Sequence, residues 1–345
     1  KLAMKYEKIL ITGGCGYIGS VLTQKLMESK KVWSLSGWSK IGTSSGSIKK
    51  SSPGCYNWDK VTVYDNLMYR QTSLTNYCYK DDFFFVKGDV RDEEKLLPYV
   101  QEADVIIPLA AIVGFPACDN DKDLATQVNY DHVKFILENK KPGAKVLYPN
   151  TNSGYGIGEG DTECTEESPL NPISHYGKTK CAAEKEVLAA GGVSFRLATV
   201  FGVSPRMRLD LLVNDFTYRA YKDGFLVLFE PHFSRNYIHI QDVALAFMKG
   251  ILEYDTMGGE AYNVGLSNAN LTKFELASTI KKHIPKVSII LDDFGSDPDK
   301  RDYIVSNKKL ESLKWKPFYT VDRGIEELIK SFAIFSNSLN KYTNL

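Results

Sequence analysis

Tyr176 and Lys180 stand four residues apart in the run Tyr-Gly-Lys-Thr-Lys. On a helix, that spacing puts both side chains on one face. An ammonium beside a phenol favours the phenolate and lowers the phenol's pKa. A phenol tuned in this way can take a proton from an alcohol while hydride leaves the same carbon. Thr151, a short way upstream, brings a hydroxyl able to share that proton. A Y-x-x-x-K spacing also occurs on solvated helix faces, so the chemistry needs a hydride acceptor and a scaffold to place it.

The acceptor has a place at the other end of the chain. Gly13, Gly16 and Gly19 follow the apolar run Ile9 to Ile11 and precede the apolar-periodic segment Val21 to Met27. Strand, glycine turn and helix in that order are the context in which such glycines bind a dinucleotide. The first permits a tight turn, the second lets backbone approach a pyrophosphate, and the third lets the helix pack close to the strand. The helix N-terminus then offers free N–H groups to the phosphates. Asp65 ends the apolar run Val61-Thr-Val-Tyr. A carboxylate there hydrogen-bonds an adenosine ribose and repels a 2′-phosphate, which selects NAD over NADP.

The elements that must position these groups follow from the pattern. Phe83 to Val86 reads as a strand, with Asp89 in the following turn placed to meet adenine. Val105 to Ala111 is a further strand with small residues at its end. Leu124 to Leu137 is an amphipathic helix containing Asn129, and Val146 to Thr151 is a fifth strand. Alternation of this kind predicts an α/β fold, a doubly wound parallel sheet with ligands at the strand C-termini. Asp65 lies much farther past the glycines than the ~20 residues usual in such a unit. Residues 31–60, rich in Ser, Gly and Lys and carrying Trp33, Trp38 and Trp58, read as an inserted loop in the connection before it.

Composition narrows the class. The chain has 345 residues, 43% of them hydrophobic, and a formal net charge of +1. That is ordinary for a soluble globular protein and gives no electrostatic reason to expect nucleic acid or an anionic membrane as partner. No apolar run approaches the ~18 residues that a span needs. The three residues before Met4 are too short for a signal peptide, and Met4 reads as the natural start. The six cysteines are scattered without metal-ligand spacing, so free thiols in a reducing cytoplasm are expected, and no metal.

Taken jointly, the motifs resemble the extended short-chain dehydrogenase/reductases acting on nucleotide sugars, the epimerase/dehydratase group. The resemblance runs from Lys8 to about Lys316, the insertion apart. It rests on Gly13-Gly-Cys-Gly-Tyr-Ile-Gly19, Tyr64-Asp-Asn-Leu67, Gly88-Asp-Val-Arg91, Leu109-Ala-Ala111, Asn129, Thr151-Asn-Ser-Gly-Tyr-Gly156, Tyr176-x-x-x-Lys180, Arg235-Asn-Tyr-Ile-His239 with Asp242, and Arg301-Asp302. It implies that Tyr176 is the acid/base, that Lys180 holds the nicotinamide ribose, that Thr151 assists, and that Asn129 supports the lysine. NAD would lie against Gly13, Gly16, Tyr17, Ile18, Gly19, Asp65, Asn66, Asp89, Val90, Leu109, Ala110, Ala111, Asn129, Tyr176 and Lys180. Arg235 and Arg301 match the two arginines on the substrate diphosphate, where guanidinium forks suit phosphate oxygens. Asn152, Ser153, Thr199 and Arg208 are further candidate substrate contacts, and Arg206 stands near Arg208 in the same loop. The expected division is an NAD-binding Rossmann domain over 1–200, rejoined by about 236–265. A smaller C-terminal α/β substrate lobe takes 201–235 and 266–345. A homodimer through helices like 122–138 and 176–190 is also implied, with Val128, Phe135, Ala182 and Val187 as candidate contacts.

The resemblance also narrows the reaction. Dehydratases of this group usually carry an acidic pair directly after the threonine, and C3/C5 epimerases a cysteine at the second position. Here those positions are Asn152 and Ser153, and neither side chain is a carbon acid/base at neutral pH. Hydride transfer at C4 is what remains, leading either to a 4-keto sugar or to a 4-epimer. The run Phe195 to Phe216 resembles a bacterial subgroup that oxidises C4 of GDP-linked heptoses for capsular polysaccharide. A 4,6-dehydratase and a non-catalytic NAD(H) sensor are weaker alternatives; sensors of this fold typically lose the Tyr or Lys kept here.

Overall fold

The computed structural model describes residues 6–28, 57–158, 162–292, 301–335 and 342–343. Seven strands form the central sheet: β1 Tyr6–Thr12, β2 Asn57–Asp65, β3 Phe83–Lys87, β4 Val105–Pro108, β5 Lys145–Thr151, β6 Val193–Leu197 and β7 Ala261–Val264. Their order is β7-β6-β5-β4-β1-β2-β3, and every neighbouring pair is parallel. The order reverses between β1 and β4, which opens a crevice outside the strand C-termini at that point.

Both faces of the sheet are covered, and the side chains alternate between two cores as a period of two requires. Ile9, Ile11, Val61, Val63, Val105 and Ile107 enter one core, with helices α1 Tyr17–Glu28 and α3 Ile240–Leu252 packed over it. Leu10, Tyr64, Ile106, Val146 and Tyr148 enter the other, against helix α2 His175–Ala189 and the segment Lys122–Asn139. That segment is not one helix. A π-helical turn, Gln127–Asp131, separates Lys122–Thr126 from His132–Asn139 and carries Asn129.

The second strand starts earlier than its apolar run suggests, at Asn57 rather than Val61. Trp58, expected in the inserted loop, is buried, and its indole N–H donates to the Leu26 carbonyl at 2.8 Å. The rest of that proposed insertion, 31–56, lies outside the described residues.

The chain leaves the sheet after β6 and builds a smaller set of elements. Thr199–Phe201 pairs in parallel with the second half of Ser234–His239, whose first half pairs antiparallel with Asn270–Thr272. Phe225–Phe229 pairs with Ser288–Asp292. Helices α4 Lys273–His283 and α5 Val321–Phe332 pack beside them, α4 begun by a Thr272–Glu275 capping box. Between these pieces the chain returns through α3 to place β7 at the sheet's edge.

Candidate active site

One cleft of about 630 Å³ lies where the strand C-termini face the smaller lobe. Its floor is the glycine turn. Gly13 has φ +70°, and a Cβ there would stand 2.5 Å from the Ala110 amide nitrogen. A Cβ on Gly19 would come within 2.6 Å of both the Gly13 carbonyl oxygen and the Gly14 Cα, so α1 can start this close to β1 only without it. The turn is held by Gly13 N–H donating to Tyr64 O at 2.8 Å. Asp65 is buried; its carboxylate accepts from the N–H groups of Cys15 at 2.9 Å and Leu67 at 2.8 Å. Burial raises its pKa, and those two N–H donors pull it back. A bare glycine backbone, a helix N-terminus and a buried carboxylate at the adenosine end are the features a dinucleotide needs, and the cradle fits one. Asn66, Asp89, Val90, Leu109, Ala110 and Ala111 line the same cleft, with Tyr17 and Ile18 from α1. Asp89 is paired with Arg91 at 2.8 Å, whose guanidinium lowers its pKa.

Tyr176, Lys180 and Thr151 stand together on the cleft wall, from α2 and the end of β5. Ser174 caps α2 by accepting from Gly177 N–H at 3.1 Å. The electrostatics differ from the expectation. Protein packed around Tyr176 pushes its phenol up to about 12, not down; Cys118 adds to the rise, while Arg208 and Arg301 oppose it. Lys180 is only 4% exposed, and burial pushes its ammonium down to about 7. Its Nζ sits 4.1 Å from the centroid of the Tyr148 ring, a cation–π contact. Helical spacing puts the two residues on one face, but desolvation outweighs the pull of Arg208 and Arg301 on the phenol.

Thr151 caps the short turn Asn152–Tyr155. Its Oγ1 accepts from Ser153 N–H at 3.1 Å and donates to Ser153 Oγ at 2.9 Å. Arg301 reaches across from the smaller lobe and donates to the same Ser153 oxygen. Arg301 thus stands beside Thr151 and Ser153 in the cleft.

Two candidate residues are not on its wall. Asn152, expected to touch substrate, is 1% exposed and faces away, with no partner for either amide atom among the described residues. Asn129, expected among the cofactor contacts, spends its side chain on Ile112 and Thr179. Its Oδ1 accepts from Ile112 N–H at 2.8 Å, and its Nδ2 donates to Ile112 O at 3.0 Å and Thr179 Oγ1 at 3.3 Å. It braces the turn after β4 against α2, one residue from Lys180.

Part of the cleft lining is cationic. Arg235 is 2% exposed and lies over the Tyr303 ring. Arg206 lies over Tyr69, 4.9 Å from the ring centroid to the guanidinium carbon. Arg208 is bound by Asp210, and Thr199 completes that wall. Lys273, the first residue of α4, also lines the cleft, donating to Phe229 O at 3.0 Å. Sequence reasoning did not single it out. The capping-box pattern Thr272-x-x-Glu275 was the signal that could have placed it at a helix start. Tyr69, Gln71 and Asp215 were missed as well, because no local pattern marks a loop residue as facing a cleft.

Among the described residues no cluster of potential metal ligands occurs, and no helix is long and apolar enough to cross a membrane.

Known proteins resemble this chain along nearly its whole length. A UDP-glucuronic acid decarboxylase of Arabidopsis thaliana is 26% identical, over 95% of this chain and 89% of its own. The dTDP-D-glucose 4,6-dehydratase of Mus musculus is 25% identical, over 94% and 88%. The solved structure of UDP-glucuronic acid 4-epimerase from Bacillus cereus, with UDP-glucuronic acid and NAD, superposes with a TM-score of 0.76. It is 22% identical, over 95% of this chain and 99% of that one. The model of the NAD dependent epimerase/dehydratase family matches residues 9–265. Glycine cradle, Tyr176–Lys180 pair and this match agree: the chain is an enzyme of the NAD-dependent epimerase/dehydratase family, with NAD as its cofactor.

Proposed function

We propose that the protein oxidises C4 of a nucleotide-diphosphate sugar by hydride transfer, the product being a 4-keto sugar. The observation that carries this is the content of one cleft. A tyrosine, a lysine and a threonine share it with a glycine cradle, the buried Arg235 and the half-buried Arg301. The two side chains after Thr151 are an amide and a hydroxyl, and Asn152 is turned away from the cleft. Carboxylates that do line the substrate side are held by bases, Asp210 by Arg208 and Asp215 by Arg219 at 2.7 Å. This supports chemistry in which a single acid/base serves a single alcohol proton.

In this reading Gly13, Gly16, Gly19 and Asp65 hold NAD, which when bound supplies the hydride acceptor. Tyr176 accepts the C4 hydroxyl proton, Thr151 orders that hydroxyl, and Lys180 binds the nicotinamide ribose. Arg235 and Arg301 bind the diphosphate; Arg301 also lowers the phenol's pKa from where it stands. Thr199 and Ser153 complete the sugar's contacts. The resemblance of Phe195 to Phe216 supports a GDP-linked heptose and a role in surface polysaccharide synthesis. The reading places the enzyme in the cytoplasm, as a homodimer, with residues 1–200 and 236–265 as the NAD domain and the remainder as the substrate lobe.

The test has two parts. Mass spectrometry of nucleotides released on denaturation should find NAD or NADH. Incubation with GDP- and UDP-sugars in deuterated water should then give a 4-keto sugar without deuterium at C3 or C5. A 4-epimer without deuterium would keep the machinery and change the outcome. Deuterium at C5 or loss of water would overturn the reading.

A further inference from the structure

Beneath the cleft runs a chain of buried polar contacts that meets the cleft lining only through Asn150 and Tyr303 among the described residues. Glu184, four residues after Lys180 on α2, is 2% exposed. Its carboxylate accepts from Asn150 Nδ2 at 2.7 Å, Ser194 Oγ at 2.6 Å, and Arg196 Nε and Nη2 at 3.1 and 2.8 Å. Asn150 immediately precedes Thr151 on β5. The carboxylate therefore ties the helix of Tyr176 and Lys180 to the strand of Thr151. Arg196 carries the chain onward, its Nη1 donating to the Tyr155 hydroxyl at 3.1 Å and to Glu166 O at 3.0 Å. Tyr155 donates in turn to Asn263 Oδ1 at 2.7 Å, and Asn263 donates to Ser306 O at 3.0 Å. The Tyr155 ring also meets Tyr303 edge-on, with centroids 6.3 Å apart. Tyr303 and Ser306 flank the short strand after Arg301, and Gly158 N–H fixes that same segment by donating to Asp302 O at 2.7 Å.

A lone buried ion pair is weak evidence of function, since apolar replacement often costs nothing. This one differs in what it joins. Its partners join α2 to two neighbouring strands of the catalytic half, Asn150 on β5 and Ser194 and Arg196 on β6. The Tyr155 hydroxyl is the point where that half is handed to the segment carrying Arg301. Charge-assisted hydrogen bonds are strong and directional, so any displacement of the Arg301–Ser306 segment would act on Asn150 and Glu184 through these contacts.

We propose that the Glu184–Arg196–Tyr155 relay is a positioning unit that couples nucleotide binding at Arg301 to cofactor binding at Lys180. The inference rests on the assignment of nucleotide to Arg301 and cofactor to Lys180 made above. It does not require oxidation at C4.

Tyr155→Phe is the deciding variant, because it removes one oxygen and leaves the ring against Tyr303. NADH is titrated by fluorescence into protein stripped of bound nucleotide, alone and with saturating GDP or UDP. In the wild type the nucleoside diphosphate should change NADH affinity by at least ~5-fold, the lower end of ordinary coupling. In Y155F that factor should fall to within about 2-fold of unity, with each ligand alone binding as in the wild type. Ser194→Ala, which trims Glu184 from the other side, should reduce the factor in the same direction. A structural role alone would lower the melting temperature and leave the coupling factor intact. An unchanged factor in Y155F, or no coupling in the wild type, overturns the proposal. Failure to form a keto sugar while the coupling persists would instead count against the C4 reading.

Discussion

In the proposed reaction Tyr176 starts as the neutral phenol, its pKa pushed up to about 12 by the protein around it, so its phenolate is a strong base but a scarce one. General base catalysis is most effective when the pKa lies near the working pH, so the cations that oppose this rise matter. Arg301 and Arg208 are those cations. The phenolate is the active form, so activity rises with pH through the tyrosine's pKa. Removing Arg301 raises that pKa, and the rising limb of kcat against pH should move to higher pH in Arg301→Met. The substrate KM should rise as well, because the proposed diphosphate contact is lost. A variant whose KM rises while its pH limb stays in place would show that the guanidinium grips substrate without acting on the phenol. Tyr176→Phe should cost roughly 10²–10⁴-fold in kcat while NAD still copurifies; a non-catalytic sensor would lose nothing in that variant. Asn152 shows what was legible at this scale. Thr151 and Ser153 share the cleft while the residue between them is buried on the other side. Continuing the strand's period of two by one step past its end separates them, whereas the motif alone treats all three alike.

At the scale of elements, the strand–turn–helix unit around Gly13 was the most legible part, because each glycine answers a steric demand. Gly19 makes the point testable. A methyl there would meet the Gly13 oxygen and the Gly14 Cα at 2.6 Å, both backbone atoms that cannot swing away. Overpacking of this kind costs about 1–3 kcal/mol, and α1 must back off from the turn. Gly19→Ala should therefore lower the melting temperature and weaken NADH binding more than tenfold, read by calorimetry and fluorescence titration. NADH affinity within twofold of the wild type would show that the cradle tolerates a displaced helix. The interrupted helix over 122–139 was not legible. Its apolar spacing is helical throughout, and the π turn at Gln127–Asp131 is set by a tertiary contact, Asn129 reaching Ile112 and Thr179. The early start of β2 was hidden for a related reason. Asn57, Asp59 and Lys60 look like loop residues, and only the Trp58 indole bonded to Leu26 shows that the chain already runs against α1.

At the scale of the molecule, the two lobes are joined by polar contacts that no local pattern announces. The Tyr17 hydroxyl on α1 donates to Gly202 O at 2.7 Å, and Ser20 meets Ser204 at 3.0 Å. Partners nearly two hundred residues apart become neighbours only once the sheet has formed. The same limit applies to the surface through which copies of the chain would associate. Of the four side chains expected to face a second subunit, Val128 and Val187 are in the protein's own core, where α2 packs on the 122–139 segment. Phe135 is half-buried and Ala182 is exposed, and these two are what the helices offer outward. A helix pair that docks against its copy needs small or apolar residues at the seam, and a long charged side chain there cannot be accommodated without burying its charge. Ala182→Arg should therefore convert a dimer into a monomer while leaving the melting curve of the fold nearly unchanged, since the exposed position makes few contacts within the chain. Size-exclusion chromatography with light scattering at micromolar concentration decides it. A wild-type protein that runs as a monomer would remove the dimer from the proposed function, and a variant that stays dimeric would move the seam away from α2.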